Sequence, residues 1–71
     1  MTPTQKRVIA DLRSGRRLIW WGDTGPEMSD RPFWPQKRTV RAMLRDGLLR
    51  WKPWKNETQR QLGIRELELV K

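Results

Sequence analysis

The residues best suited to chemistry in this sequence are arginines and lysines between Trp34 and Gly47. Cations spaced three and four residues apart share one side of a helix. From such a side an arginine can donate two hydrogen bonds to guanine, and a neighbouring cation can bind phosphate. This segment therefore predicts recognition of a polyanion.

Other chemistries are largely excluded by composition. The chain has no Cys and no His, so thiolate zinc sites, disulfides, imidazole bases and Ser-His or Cys-His nucleophile pairs cannot form. Its acidic cluster, Asp23, Glu27 and Asp30, matches no calcium loop, and carboxylates in a Gly-rich turn ordinarily shape the turn. We therefore expect no enzyme, with no catalytic residue, no metal and no cofactor.

Length and charge define the class of protein. The 71 residues predict a single domain over 1–71, and 16 Lys and Arg against 8 Asp and Glu leave a formal charge of +8. With a mean hydropathy of −0.92, no run is long enough to cross a bilayer. The polar segment Met1–Ser14 lacks the apolar stretch of a secretory signal. We therefore expect a basic cytoplasmic protein with no membrane partner.

Five tryptophans are the main source of apolar surface for a core, and each can bury on the order of 200 Å². They are Trp20, Trp21, Trp34, Trp51 and Trp54. We expect Trp51 and one member of the Trp20-Trp21 pair in the core, and Trp34 at the start of a helix. Trp54, in a loop, is expected to be the most exposed, where it could stack on a base or anchor a protein interface.

The first helix is predicted over roughly Pro3–Ser14. Thr2 offers a hydroxyl cap, and proline suits the first turn. Val8, Ile9 and Leu12 then form one apolar stripe, and Gly15 ends the helix.

A second helix is predicted to begin at Trp34-Pro35 and to end at Gly47. Its apolar arc consists of Val40, Met43 and Leu44. At about 100° per residue, other side chains lie nearly opposite that arc or on its flank. Those opposite are Arg38, Ala42 and Arg45, and those on the flank are Lys37 and Arg41.

Strand patterns occupy much of the remaining chain. Arg17–Trp21 is rich in aromatic and β-branched residues, and a loop over Gly22–Pro26 leads to a hairpin return through Glu27 to Phe33, with Pro32 at its edge or beyond its end. The segments 49–52 and 65–70 alternate apolar and charged residues.

If the two alternating segments pair antiparallel, outward Glu66 and Glu68 meet outward Arg50 and Lys52, each match worth about 0.2 to 1 kcal/mol. The polar tip over 53–61 then forms a protruding loop. Because Leu62 and Ile64 differ in parity from Leu67 and Leu69, one flat strand cannot bury all four side chains, and a bulge near Gly63 would reconcile them. The alternative is a short helix over Glu57–Leu62 that ends at Gly63.

This order of elements resembles a winged helix-turn-helix DNA-binding domain. The most specific segment is Thr39–Leu49, which is similar to the end of a recognition helix that runs through Asp-Gly-Leu-Leu into the first wing strand. The chain departs from the family where Leu18–Trp21 and a Gly/Pro loop replace the helix before the recognition helix. Small size and basic charge also resemble proteins encoded by bacteriophages and mobile elements. The resemblance implies an α+β fold with two main helices, a C-terminal β-ribbon as the wing, and an additional strand or hairpin.

We therefore expect a transcriptional or phage regulator that binds duplex DNA with full or partial sequence specificity. The sequence does not decide between a monomer and a homodimer. Arg38 and Arg45 are placed to contact bases, and Ala42 between them could touch a thymine methyl. Phosphate contacts are expected from Lys37, Arg41, Arg50, Lys52, Lys55 and Arg60. Any five of these six contacts made together imply a log-log salt slope of about −4 to −5.

Three alternatives stay open. The cationic stripe can be a solvated helix face, and Lys55 and Arg60 can simply keep a sheet edge soluble. The protein can be a small basic effector that binds an acidic host protein through Trp54 and the arginines. It can also bind RNA or a single strand by stacking bases on an exposed tryptophan.

Overall fold

The first helix, α1, spans Pro3–Arg13 in a computed structural model that describes residues 1–29 and 33–70. Its start is a capping box. The Gln5 amide donates to Thr2 Oγ1, and the Thr2 amide donates to Gln5 Oε1, both at 3.2 Å. Val8 is fully buried, and Ile9 and Leu12 pack against the core, so the predicted helix and its apolar stripe are confirmed.

The described residues contain two further helices and four strands, which confirms the α+β class. The helices are α2 (Lys37–Arg45) and α3 (Glu57–Leu62), and the strands are β1 (Leu18–Trp21), β2 (Gly25–Met28), β3 (Leu49–Trp51) and β4 (Ile64–Leu69). The strands form one antiparallel sheet in the order β2-β1-β4-β3. None of the described helices is both long and apolar enough to span a bilayer.

The hairpin return begins earlier than its composition predicts. β2 already includes Gly25 and Pro26, which the sequence places in a loop, and an isolated bridge joins Met28 to Phe33. Proline is tolerated because β2 is an edge strand, where a missing amide donor leaves no inner hydrogen bond unmade. Pro32 lies outside the described residues.

α2 begins two residues later than predicted, because Pro35 precedes the helix and Gln36 takes the N-cap position without a side-chain hydrogen bond. The predicted apolar arc is confirmed, since Val40 and Met43 are fully buried and Leu44 packs against the core. The remaining buried apolar residues are Val8, Leu18, Met28, Leu49 and Leu67.

The sheet has one face under α1 and α2 and one face without a helical layer among the described elements. Leu18 and Leu67 are cross-strand partners on the helix-covered face, with Leu49 further along it. Side chains alternate along each strand, so the intervening residues point the other way. We call these residues the outer face, and they are Arg17, Ile19, Trp21, Glu27, Arg50, Lys52, Ile64, Glu66 and Glu68.

The segment between β3 and β4 contains a short helix rather than only a loop. Asn56 caps α3 by accepting a hydrogen bond from the Gln59 amide at 2.8 Å. The helix ends at Gly63, whose φ of +74° is the left-handed value that favours glycine. Of the two predicted alternatives the short helix is confirmed, and Leu62 is consequently exposed.

Candidate functional site

The exposed side of α2 has the composition that its sequence pattern predicts. Its nine residues include four cations and no acid. Arg38, Arg41 and Arg45 are exposed, whereas Val40 and Met43 on the opposite side are fully buried. The face turned to solvent is therefore cationic.

Ala42 is half-buried beside these arginines. Its methyl group projects much less far than the two long side chains three and four residues away, Arg45 and Arg38. A molecule that lies against α2 would therefore meet a shallow apolar depression between two guanidinium groups.

The cations of α2 are held weakly by their neighbours. Arg38 Nε donates to Gln36 Oε1 at 2.7 Å, and Arg45 Nε lies 3.4 Å from Asp46 Oδ1 in an exposed pair. Exposed pairs of this kind contribute about 0 to 1 kcal/mol. Both guanidinium groups therefore keep donors available for another molecule.

Lys37 has a different position. Its ammonium donates to the carbonyl oxygen of Asp23 at 2.7 Å, which ties the start of α2 to the turn between β1 and β2. An ammonium has three donors, so this contact leaves two for other acceptors. Lys37 is exposed at the N-terminal end of the cationic side.

A row of two arginine and three tryptophan side chains connects α2 with the segment after β3. Arg41 Cζ lies 5.6 Å from the centre of the Trp20 ring, and the Trp20 and Trp51 rings pack edge to face with centres 5.7 Å apart. Arg65 Cζ lies 5.4 Å from the Trp51 ring centre and 4.7 Å from that of Trp54. We call these five residues the aromatic-arginine band.

Arg65 is the member of the band that sequence reasoning missed. It is half-buried, and its Nε donates to the carbonyl oxygen of Lys52 at 2.6 Å. Its guanidinium thus holds the chain that follows β3 and also contacts two rings. The signal that could have found it is its place in the strand pattern. Arg65 is two residues before Leu67 and four before Leu69, so its side chain lies on the same face of β4 as theirs.

Several tryptophan side chains are more exposed than the sequence predicts. Trp51 is 37% exposed, so its predicted place in the core is wrong. The reason is that β3 is a three-residue edge strand, and Trp51 lies at its end with one side open. Trp20 is half-buried and its neighbour Trp21 is exposed, as predicted for one inward member of the pair. Trp34, at 58%, is more exposed than Trp54, at 39%, which reverses the predicted order.

The outer face holds two of the predicted phosphate-binding cations in ion pairs. Arg50 Nε lies 3.1 Å from Glu68 Oε1, and Lys52 Nζ lies 2.7 Å from Glu66 Oε2. The predicted cross-strand matches are therefore confirmed. Because this face is opposite the helices, the fold separates Arg50 and Lys52 from the cations of α2.

Glu66 is the centre of the outer-face network, since Arg17 also contacts it, at 2.6 Å. Burial alone would raise the pKa of Glu66. Hydrogen bonds from Arg17 and Lys52, together with their positive charges, outweigh that effect and hold the pKa below its ordinary value. Glu66 therefore stays ionised, and its one negative charge is shared between Arg17 and Lys52.

The two remaining predicted cations lie between β3 and β4. Arg60, on α3, is 3.9 Å from Glu57 in an exposed pair. Lys55 is exposed and makes no ion pair or hydrogen bond with the described residues. Both side chains are accessible.

The predicted acidic cluster includes Asp30, which lies outside the described residues. Within the described ranges, no group of three acidic, His or Cys side chains is close enough to hold a metal ion. Comparison of the chain with protein-family models, with curated proteins and with solved structures gives no match.

Proposed function

We propose that this protein binds duplex DNA and that α2 is the element that enters the major groove. The observation that carries the proposal is the composition of α2, whose buried side holds Val40 and Met43 while its solvated side presents three arginines. Nine residues make a helix about 14 Å long. An α-helix with its side chains is about 10 to 12 Å across, which fits a major groove about 12 Å wide.

Individual roles follow from position on the helix. Arg38 and Arg45 would each donate a pair of hydrogen bonds to guanine, and Ala42 between them would contact a thymine methyl. Lys37, at the start of α2, and Arg41, on its flank, would bind phosphates and set the orientation of the helix.

The aromatic-arginine band supports a second point of contact. It extends from Arg41 to Trp54, so the helix and the segment after β3 belong to one continuous surface. Lys55 follows Trp54 directly and Arg60 lies on α3, and both would supply further phosphate contacts. Arg50 and Lys52 have no direct role in this proposal, because they lie on the opposite face, where they pair with Glu68 and Glu66.

The arrangement is compatible with a winged helix-turn-helix domain. In that interpretation α2 is the recognition helix, β3 and β4 are the wing strands, and the β1-β2 hairpin takes the place of the helix that ordinarily precedes the recognition helix. A transcriptional or phage regulator is the kind of protein that such a module would serve.

The decisive experiment is fluorescence anisotropy with a labelled mixed-sequence duplex at low salt. We expect Arg38→Glu and Arg45→Glu each to weaken binding by about tenfold or more, since one bidentate contact is worth about 1 to 3 kcal/mol. Lys6→Glu is the charge-matched control, because Lys6 is exposed on α1, and it should bind nearly as the wild type does. Normal binding by both α2 variants would show that α2 is not the interface.

A single strand of the same sequence tests the rival function. The exposed ring of Trp54 beside Arg65 is the observation that favours base stacking. Tighter binding to the single strand than to the duplex, lost in Trp54→Ala and kept in Arg38→Glu, would replace the duplex proposal.

A further inference from the structure

The outer face of the sheet forms a groove that the DNA-binding proposal does not use. Its floor is apolar, because Ile19, Trp21 and Ile64 point to this side, with Trp21 and Ile64 as direct cross-strand partners. Pro53, in the segment after β3, forms one wall. The cavity has a volume of about 310 Å³, at the small end of the range for ligand sites. It is large enough for one or two side chains and too small for a folded element.

Two observations show that this floor is accessible. Trp21 is 40% exposed although it lies within a strand. Ile19 and Ile64 are only half-buried. Of the described helices, α3 lines this groove, through Gln59 at its wall. A tryptophan over two isoleucines is the apolar centre that protein interfaces use for anchoring side chains.

The edge of the groove is cationic. Arg17, Lys52 and Lys55 line it together with a single carboxylate, that of Glu66. Glu66 is already engaged by Arg17 and Lys52. Lys55 has no ion-pair partner among the described residues, so a carboxylate brought to this edge would find a cation available.

We propose that this groove binds an acidic polypeptide segment that inserts one or two apolar side chains against Trp21, Ile19 and Ile64. The carboxylates of the segment would lie along the edge and pair with Lys55, Lys52 and Arg17. The groove lies on the side of the sheet opposite α2, and of these three edge cations only Lys55 also has a phosphate contact in the duplex proposal.

Two other occupants fit less well. A second copy of this chain in a twofold dimer would oppose the groove to itself, so that Lys55 and Arg17 would face the same cations on a molecule of charge +8. A nucleic acid would place phosphates beside the ionised Glu66 and would find an aliphatic floor where bases stack best on aromatic rings.

The test is an NMR amide titration of the full chain with a synthetic peptide that carries a central Phe between two runs of Asp and Glu. We expect shift changes at Ile19, Trp21 and Ile64, and an affinity at least about tenfold above that of the same peptide with a central Ser. Trp21→Thr should weaken binding by about tenfold or more. Trp34→Thr is its matched control, because Trp34 is exposed and lies outside the groove, and it should bind as the wild type does.

Lys55→Glu keeps the test valid if Trp21→Thr does not fold, since Lys55 is exposed and outside the core. It should weaken peptide binding severalfold, whereas the charge-matched Arg38→Glu should not.

Equal binding of the Phe and Ser peptides, or shift changes confined to α2, would overturn the inference. A dimer detected by sedimentation and lost in Trp21→Thr would also overturn it, in favour of a second copy. Trp21→Thr should bind the duplex as the wild type does, so a failure of the peptide proposal can be distinguished from a failure of the DNA proposal.

Discussion

Two glycines bring the turn after β1 into backbone contact with the end of α3. The Gly22 amide donates to the carbonyl oxygen of Gly63 at 3.0 Å. A Cβ atom at Gly22 would lie 2.9 Å from the carbonyl oxygen of Leu62, and one at Gly63 would lie 3.3 Å from Gly22 Cα. At this residue scale, the absence of two side chains allows the approach that connects the hairpin with the segment carrying Trp54 and Lys55.

Gly22→Ala should therefore destabilise the fold by about 2 to 5 kcal/mol. Roughly 1 to 2 kcal/mol comes from the left-handed backbone, where φ is +49°, and roughly 1 to 3 from the overlap with Leu62. Gly47→Ala is the matched control, because its φ is +78° and nothing lies within 4 Å of the added methyl. It should cost only the backbone part, about 1 to 2 kcal/mol. Urea denaturation measures both, and equal costs would show that the Gly22 approach is not a constraint.

At the scale of elements, most of the fold follows from local rules. The cap at Thr2, the apolar stripe of α1 and the alternation over β3 and β4 were sufficient to predict those elements. β2 could not be placed correctly, because Gly25 and Pro26 have the composition of a turn and only their position at a sheet edge makes a strand possible. The choice of a short helix after Asn56 was likewise undecided from sequence, since local propensity alone did not separate it from a bulged strand.

Arg65 should control the order of the segment between β3 and α3. It connects the Lys52 carbonyl with the Trp51 and Trp54 rings, and this depends on a planar guanidinium rather than on charge alone. Arg65→Lys should therefore speed hydrogen exchange of the Lys52 amide, which donates to the Glu66 carbonyl oxygen at 2.9 Å, severalfold and leave the exchange of β1 unchanged. Arg60→Lys, on exposed α3, is the control and should change neither. If Arg65→Lys exchanges like the wild type, the band does not hold this segment.

At the scale of the whole molecule, the sheet order decides which cations can act together. The composition gives the number of cations, 16. The periodicity of the sequence shows which of them share one side of a helix. Neither can show that Arg50 and Lys52 lie on the side of the sheet away from α2, because that depends on β4 pairing between β1 and β3. The cationic side of α2 was therefore predictable, whereas the division of the predicted phosphate contacts between two surfaces was not.

That division makes the salt dependence of duplex binding a measure of which surface faces DNA. With Arg50 and Lys52 on the face away from α2 and paired with glutamates, the phosphate contacts left from the predicted set are Lys37, Arg41, Lys55 and Arg60. Four contacts give a slope of log affinity against log salt of about −3.6, shallower than the value of about −4.5 to −5.4 expected when one or both outer-face cations contribute.

The slope should respond to single neutral substitutions in the same way. Arg41→Gln should reduce its magnitude by about 0.9 because one phosphate contact is lost, whereas Arg50→Gln should leave it unchanged. Anisotropy titrations across about 50 to 200 mM KCl give both values. A reduction in Arg50→Gln as large as that in Arg41→Gln would mean that DNA contacts the outer face, and the assignment of α2 as the element facing the duplex would then be wrong.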